Sequence, residues 1–412
     1  MDLPTVSDRR RWVVVGLLFA ASLINYLDRA AISLSLPLIS ADLHLLPTSK
    51  GLLLSCFFWS YALMQVPVGW CADRFNLRWL YAGAFLLWSV SQALTGLAGT
   101  LEVLILFRIF LGVGESIYLP GGTKIVTLLF KPEGRGLPSG LFDFGTRTGL
   151  VMEGILVPWL LLRYGWRHTF VLLGCAALVW VIPWLWLFPG RLRRADNGAV
   201  SAPTRQPARK PSGVFLNRNL LGICLGFFCF DYYWYVLLTW LPDYLVTVRH
   251  LSIVRAGFYA SLVFLTFGVS EPVGGWIADQ LVHWGWDATL SRKGIVSVAF
   301  LTGLLLLPAV RASSTPIAVG LLMGAALVGL STGNLLTILQ SCAPADKVGI
   351  WTGAENFAGN LSGIVAPLVV GILIRQTGSY VPGFEVASFL LLAGLLAYWF
   401  IVGDLNPTSA AS

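Results

Sequence analysis

Charge is scarce in this sequence. Only 12% of its 412 residues are Asp, Glu, Lys or Arg, whereas 56% are hydrophobic and the mean hydropathy is +0.75. Soluble globular domains carry about 25% charged residues. The deficit excludes an ordinary soluble domain and indicates a chain that lies largely in an apolar medium.

Patterned metal ligands and catalytic motifs are also missing. The six cysteines form neither a loop-borne disulfide pattern nor a CxxC motif, and the four histidines are scattered. Metal and haem sites need such ligands at characteristic spacings. The sequence also lacks an HExxH motif, a Ser/His dyad within its apolar segments and an ATP-binding motif. We therefore expect no cofactor, no metal and no enzyme, and we expect ion or substrate gradients to supply any energy.

Long apolar runs are abundant instead. A helix needs about 20 predominantly apolar residues to cross a bilayer, whose core offers no partner for an unpaired backbone N–H or C=O. Twelve segments of this kind occur near residues 12–37, 48–72, 79–99, 102–125, 137–162, 168–189, 217–245, 255–280, 293–311, 315–340, 349–374 and 382–403. We therefore predict an all-α membrane protein with twelve transmembrane helices.

The basic residues are distributed unevenly between the loops. If the twelve spans alternate in direction, 18 of the 28 Lys and Arg lie on the side that holds both termini, seven lie on the other side and three lie inside spans. Cytoplasmic loops carry such an excess of positive charge. The pattern predicts a multi-pass protein of the cell inner (plasma) membrane with both termini in the cytoplasm. The same distribution indicates that the net charge of +8 reflects basic cytoplasmic loops at the membrane and not binding to nucleic acid.

The sequence divides near its middle. Residues 190–213 contain six basic residues and three prolines without apolar periodicity, which is typical of a linker. The predicted organisation is therefore an N-terminal six-helix half over 1–189, a cytoplasmic linker over 190–213 and a C-terminal six-helix half over 214–412.

Two short stretches recur in the two halves. PVGWCAD at 67–73 and PVGGWIAD at 272–279 share a Gly-Trp-x-Ala-Asp pattern, and GLFDF at 140–144 is similar to GAENF at 353–357. The paired stretches lie 206 and 213 residues apart, close to half of the chain. Transporters are often built from such repeats, with the substrate site at the repeat interface. The pattern predicts two pseudo-symmetric halves.

Several stretches resemble one transporter family. GWCADRFNLR at residues 69–78 resembles the loop motif of the major facilitator superfamily, although Asn76 stands where glycine is usual. NYLDRAAIS in span 1, LFRIFLGVGES in span 4, LLTWLPDYL in span 7 and ENFAGNLSGIVAPLVVG in span 11 resemble its anion:cation symporter branch, which includes galactonate and glucarate transporters. The resemblance covers the whole chain. It implies the major facilitator fold and transport of a small organic anion, with a sugar acid as the expected class.

The resemblance also implies roles for individual residues. Positions that touch substrate in the sugar-acid carriers are matched by Tyr26, Tyr61 and Asn356. Gate-stabilising positions at cytoplasmic helix ends are matched by Asp73, Arg74 and Asp279. Aromatic packing, helix-to-helix hydrogen bonds and interfacial anchoring remain open as alternatives for these residues.

Charged residues inside the predicted spans need partners, because a charge at the bilayer centre costs about 2.5–3.5 kcal/mol on insertion scales. Arg108 and Glu115 are two helical turns apart and share one face of span 4. The adjacent Asp28 and Arg29 point about 100° apart on span 1, so that they cannot make the same contact. We interpret Asp28 and Glu115 as proton-coupling residues and the two arginines as substrate ligands. Structural salt bridges are the open alternative.

Span 5 carries Asp143 and Arg147, which are four residues apart and can pair directly. We assign Arg147 to substrate binding, with a structural salt bridge equally open. Further carboxylates in or near spans receive no role from the sequence; they are Glu153, Asp231, Glu271 and Glu355.

These groups suggest a mechanism. A guanidinium binds a carboxylate through two parallel hydrogen bonds, and without substrate Arg29 and Arg108 can pair with Asp28 or Glu115 instead. Protonation of the carboxylate frees the arginine, and an anion on the arginine removes the positive field that kept the carboxylate ionised. Proton and anion therefore favour each other's binding. We expect a monomer that imports a small organic anion with protons by alternating access; a proton-driven efflux antiporter of the same fold is the alternative.

Overall fold

The computed structural model describes residues 7–130, 136–189, 217–344 and 348–405, and the regular structure in these ranges is helical, without a strand. The helices are α1 (Asp8–Leu43), α2 (Pro47–Arg74), α3 (Leu77–Thr95), α4 (Leu101–Glu115), α5 (Tyr118–Leu129), α6 (Gly136–Leu178), α7 (Val181–Leu187), α8 (Arg218–Thr247), α9 (Ile253–His283), α10 (Ala288–Gly303), α11 (Leu306–Arg311), α12 (Thr315–Ala326), α13 (Thr332–Cys342), α14 (Val348–Thr377) and α15 (Val381–Leu396). A 3-10 turn over Leu327–Ser331 precedes α13, and a π-helical turn over Ala397–Ile401 follows α15.

Ten helical segments in the described ranges are long and apolar enough to cross a membrane. One of them, Leu137–Leu187, has 51 residues, which is enough for two crossings, and it turns at Gly165, where φ is +74°. Glycine adopts this left-handed backbone without strain. The helix α3, with 19 residues, is long enough for a further crossing. These helices supply the twelve predicted spans and confirm the prediction of an all-α membrane fold.

Large apolar side chains are exposed on the outside of these helices. Trp186 is 83% exposed, Val66 80% and Phe400 69%. Soluble monomers rarely present extended apolar patches to water, whereas a membrane-spanning helix presents such side chains to lipid. The chain is therefore a multi-pass membrane protein.

The chain forms two compact units. One is drawn from Met1–Leu45 and Cys56–Pro211, and the other from Leu46–Ser55 and Ser212–Ser412. The predicted linker over 190–213 lies outside the described residues, and the predicted bounds of the halves remain a prediction.

In the first unit, α1 packs closely along α6. A Cβ atom on Gly145 or Gly149 would lie 2.4 Å from the backbone oxygen of Phe19 or Leu23, respectively. Small residues four positions apart let two membrane helices approach backbone to backbone. This contact positions the helix that carries three of the predicted site residues.

In the second unit, a buried ion pair joins α2 to α8. Lys50 Nζ lies 3.2 Å from Asp243 Oδ1, and the side chains are 12% and 0% exposed. The Tyr380 hydroxyl donates to Asp243 Oδ2 at 2.5 Å, and Thr247 donates to Oδ1 at 3.4 Å. The cluster ties the first turns of α2 to α8 and to the residue that precedes α15.

Replacing Lys50 by methionine should lower the free energy of unfolding by about 3 kcal/mol, because Asp243 then loses its counterion. This value is the lower end of the range for breaking a buried ion pair, since two hydroxyls still donate to Asp243. Thermal unfolding in detergent measures the loss. The matched control is Lys124→Met, whose partner Asp73 is 68% exposed and whose loss should stay below about 1 kcal/mol.

The double variant Lys50→Met/Asp243→Asn should recover part of the stability, because no buried charge is then left without its counterion. Losses that simply add in the double variant would contradict the coupling between the two residues.

Candidate functional site

Arg29 on α1 lies at the centre of the candidate site. Its Nη2 and Nε atoms donate to Glu115 Oε2 at 3.1 and 3.2 Å, and Nη2 also donates to Asn25 Oδ1 at 3.2 Å. Arg29 is 5% exposed and Glu115 is fully buried. Glu115 therefore forms its ion pair with an arginine on another helix, a pairing that spacing along one helix does not reveal.

Three aromatic rings surround the Arg29 guanidinium. Its Cζ atom lies 4.8 Å from the ring centroids of Tyr26 and Phe57 and 4.6 Å from that of Tyr61. A desolvated cation–π contact contributes about 2 kcal/mol, and the rings also orient the guanidinium plane. Both predicted tyrosines thus lie beside Arg29. The role of Phe57 was not predicted from the sequence, although Phe57 lies one turn before Tyr61 on α2.

Arg108 on α4 is a second buried cation, 2% exposed, and its Cζ atom lies 5.0 Å from the same Phe57 ring. Within the part of the chain that the structure describes, its Nε and Nη1 atoms have no hydrogen-bond partner. Unpaired buried donors are costly, and those of a guanidinium match the two oxygens of a carboxylate. Arg108 therefore offers hydrogen bonds that an anion can accept.

Asp28 points away from Arg29 and toward α3. Trp88 Nε1 donates to Asp28 Oδ2 at 3.0 Å, and Gln92 Nε2 donates to Oδ1 at 3.2 Å. The adjacent residues thus contact different helices, as their angular separation on α1 requires. The roles of Trp88 and Gln92 were not predicted from the sequence. The signal that could have indicated them is a pair of hydrogen-bonding side chains four residues apart on an apolar span.

The membrane segment that carries Glu115 continues past that residue. Helix α4 ends at Glu115 and α5 begins at Tyr118, but Ser116 and Ile117 between them keep right-handed helical dihedral angles. Residues Leu101–Leu129 therefore form one segment long and apolar enough to cross a membrane, as the sequence predicts.

Residues around Tyr26 bring Arg147 into the site. Tyr118 packs edge-on against Tyr26, with ring centroids 6.4 Å apart, and its hydroxyl donates to Asp143 Oδ1 at 3.4 Å. Arg147, half-buried on α6, and Asp143 both act electrostatically on the Tyr26 hydroxyl. Arg147 therefore lies near Tyr26, which is predicted to touch substrate.

The predicted gating residues lie at helix ends. Lys124 Nζ is 3.2 Å from Asp73 Oδ1, and Arg74 is exposed. In the second unit, Arg292 Nη2 donates to Asp279 Oδ1 at 2.7 Å. Each aspartate of the repeated Gly-Trp-x-Ala-Asp pattern thus pairs with a cation of its own unit, while the gating role stays a prediction.

Asn356 lies in the second unit, half-buried on α14. Its backbone oxygen accepts a hydrogen bond from Asn360 Nδ2 at 2.8 Å, which leaves the Asn356 side-chain amide out of that contact. Its contact with substrate stays a prediction.

Comparison with known proteins agrees with this architecture. The D-galactonate transporter of Escherichia coli O6:H1 is 30% identical over 98% of this chain and 99% of its own, and the uncharacterized transporter YybO of Bacillus subtilis is 30% identical over 96% and 95%. A bacterial homolog of the human lysosomal transporter Spinster, inward-facing and unoccupied, shares the fold with a TM-score of 0.80 and 19% identity over 96% of this chain and 98% of its own.

These relatives are transporters rather than enzymes, and the sugar-acid carrier among them confirms the resemblance seen in the sequence. The family model described as Major Facilitator Superfamily matches residues 18–367. The chain therefore belongs to the major facilitator superfamily.

Proposed function

We propose that this protein imports a small organic anion of the sugar-acid class together with protons. The observation that carries the proposal is Arg108, a buried guanidinium with two donor nitrogens unpaired among the described residues, on the same Phe57 ring as Arg29. Two cations on one ring repel each other, and a carboxylate that accepts from both relieves the repulsion. The similarity to a D-galactonate transporter supports the same ligand class.

The neutral groups of the site suit the rest of a sugar acid. The hydroxyls of Tyr26 and Tyr61 and the amide of Asn356 can each donate and accept hydrogen bonds, as a polyol requires. The rings beside Arg29 offer apolar faces for the C–H groups of the ligand. We therefore assign the carboxylate to the arginines and the hydroxyl-bearing chain to the tyrosines and the amide.

Proton coupling follows from the contact between Arg29 and Glu115. A substrate carboxylate that binds Arg29 competes with Glu115 Oε2, and Glu115, fully buried, then needs a proton to replace its lost counterion. Protonation of Glu115 conversely frees Arg29 for the substrate. The two events favour each other reciprocally, which is the condition for symport.

We also propose the setting of this cycle. The excess of Lys and Arg on one side supports insertion in the cell inner membrane with both termini cytoplasmic. Two six-helix halves over 1–189 and 214–412, joined by the basic linker, would alternate access within one monomer, with gate contacts at Asp73, Arg74 and Asp279.

The substrate class can be tested by thermal unfolding of the purified protein with D-galactonate, D-glucarate, aromatic acids, cations and neutral amphipathic compounds. A sugar acid should raise the melting temperature, because a ligand at 100 times its Kd stabilises the folded state by about 2.7 kcal/mol. D-galactose, which lacks the carboxylate, is the matched control and should give no shift. Stabilisation by cations or neutral compounds alone would contradict the proposal and favour the efflux antiporter.

Arg29→Lys should reduce uptake of the stabilising sugar acid by about 10- to 100-fold although the charge is kept, because a charge-assisted hydrogen bond contributes about 1.5–3 kcal/mol and lysine lacks the planar fork. Uptake into proteoliposomes measures the loss. The matched control is Arg163→Lys, an exposed arginine of the same unit. Near-normal uptake by Arg29→Lys would mean that Arg29 does not hold the carboxylate.

Glu115→Gln should separate exchange from accumulation. The glutamine oxygen can still accept from Arg29, while the side chain carries no transferable proton. Exchange of labelled for unlabelled sugar acid should persist, whereas accumulation driven by an inward proton gradient should disappear. Both are measured in proteoliposomes with and without a pH step, and Asp28→Asn tests the second predicted proton site in the same way.

The matched control is Glu153→Gln, a carboxylate 1% exposed on α6, which should retain both activities. A merely structural salt bridge predicts that Glu115→Gln lowers the melting temperature and weakens exchange and accumulation together. Accumulation that still follows the pH step in Glu115→Gln would exclude Glu115 as an obligatory proton site.

A further inference from the structure

Asp28 differs from Glu115 in the groups that contact its carboxylate. Within the described chain, its hydrogen bonds come from uncharged donors, the Trp88 indole at Oδ2 and the Gln92 amide at Oδ1. Glu115 and Arg108 of α4 are the charged residues that act on it most strongly. Hydrogen bonds to the charged form of a carboxylate stabilise that form. The two donors on α3 therefore support the ionised state of Asp28.

The Trp88 indole is fixed in place by its neighbours. It is fully buried, and its ring centroid lies 3.8 Å from that of Phe85, which stacks on Trp180 at 4.1 Å. From the side of α4, a Cβ atom on Gly114 would lie 2.7 Å from Trp88 Cβ. An indole N–H donates and cannot accept, and the carbonyl oxygen of a carboxylic acid is its better acceptor. Trp88 therefore directs a proton on Asp28 to the other oxygen, Oδ1.

The Gln92 amide can serve both protonation states of Asp28. Its Nε2 atom donates to Asp28 Oδ1 and to the Asp28 backbone oxygen, each at 3.2 Å. Its Oε1 atom is buried and has no hydrogen-bond partner among the described residues. An amide carries two donors on its nitrogen and an acceptor on its oxygen. Rotation of the amide gives up the contact with the backbone oxygen and presents Oε1 as the acceptor that an O–H group on Oδ1 requires.

We propose that Gln92 is a positioning residue for proton uptake by Asp28. It donates to Oδ1 while Asp28 is ionised and accepts from Oδ1 once the proton is bound there, while Trp88 holds Oδ2 throughout. One O–H bond forms at Oδ1, and no other covalent bond changes. The part of Gln92 in transport rests on the proposed proton coupling. Glu115 needs no such residue in its ionised state, because Arg29 donates to it directly.

Infrared difference spectroscopy of the purified protein during a pH titration tests the proton site without any substrate. The component of the carboxylic C=O band that Asp28→Asn removes belongs to Asp28. Its midpoint should move to higher pH by about one to two units in Gln92→Met, the shift expected when an ionised group loses one hydrogen bond. Methionine keeps the length of the side chain but cannot donate.

The position of the proton on Oδ1 has a signature of its own. Trp88→Phe keeps a ring in the aromatic stack but removes the donor to the C=O oxygen, so the frequency of the Asp28 component should rise more in Trp88→Phe than in Gln92→Met. The matched control is Trp180→Phe, which removes an indole donor to the Leu17 backbone oxygen in the same stack. It should change neither the midpoint nor the frequency.

Three results would overturn the proposal. They are a spectrum from which Asp28→Asn removes no component, a midpoint in Gln92→Met that is unchanged or lower, and a larger rise in frequency in Gln92→Met than in Trp88→Phe, which would place the proton on Oδ2. Melting temperatures close to that of the wild type show that the variants are folded, and Gln92→Leu replaces Gln92→Met if methionine is not tolerated.

Proton-driven accumulation tests the role of Gln92 in transport. In proteoliposomes with an inward pH step of about one unit, the internal pH is varied and accumulation of labelled D-galactonate is measured. The internal pH at half-maximal accumulation should rise by about one to two units in Gln92→Met, because Asp28 must release its proton inside. It should stay at the wild-type value in Trp180→Phe.

The outcomes separate this proposal from the proposed function. Accumulation with the same dependence on internal pH in the wild type and Gln92→Met would overturn the role of Gln92 in transport while leaving symport intact. A wild type that ignores the pH step would overturn proton coupling and, with it, that role. The infrared titration would still decide whether Gln92 positions the proton on Asp28.

Discussion

The contact between Arg29 and Glu115 is the interaction on which the rest of the site depends. Both side chains are removed from water, and the desolvation of each ion costs several kcal/mol, a cost that their pairing offsets. Any step that takes the guanidinium away from Glu115 must therefore provide another anion for Arg29 and a proton or another cation for Glu115. In the proposed cycle, this requirement is what links the anion to the proton.

The fold maintains this contact through the helices around it. Gly145 and Gly149 bring α6 against the backbone of α1, while Gly112 of α4 lies against α2, where a Cβ atom would be 2.5 Å from the Phe57 oxygen. These close approaches hold α1 to α6, and α4 to the helix α2 that carries Phe57 and Tyr61.

The sequence predicted the fold well because its strongest signals are long apolar runs. It also identified Arg29, Arg108 and Glu115 as candidate site residues, because a charged side chain inside an apolar run is costly unless it has a partner. It left open which of the two arginines pairs with Glu115, because the choice of Arg29 depends on how two helices pack rather than on spacing within one. The role of Phe57 was missed for a related cause: an aromatic residue is ordinary in a membrane helix until its neighbours are known.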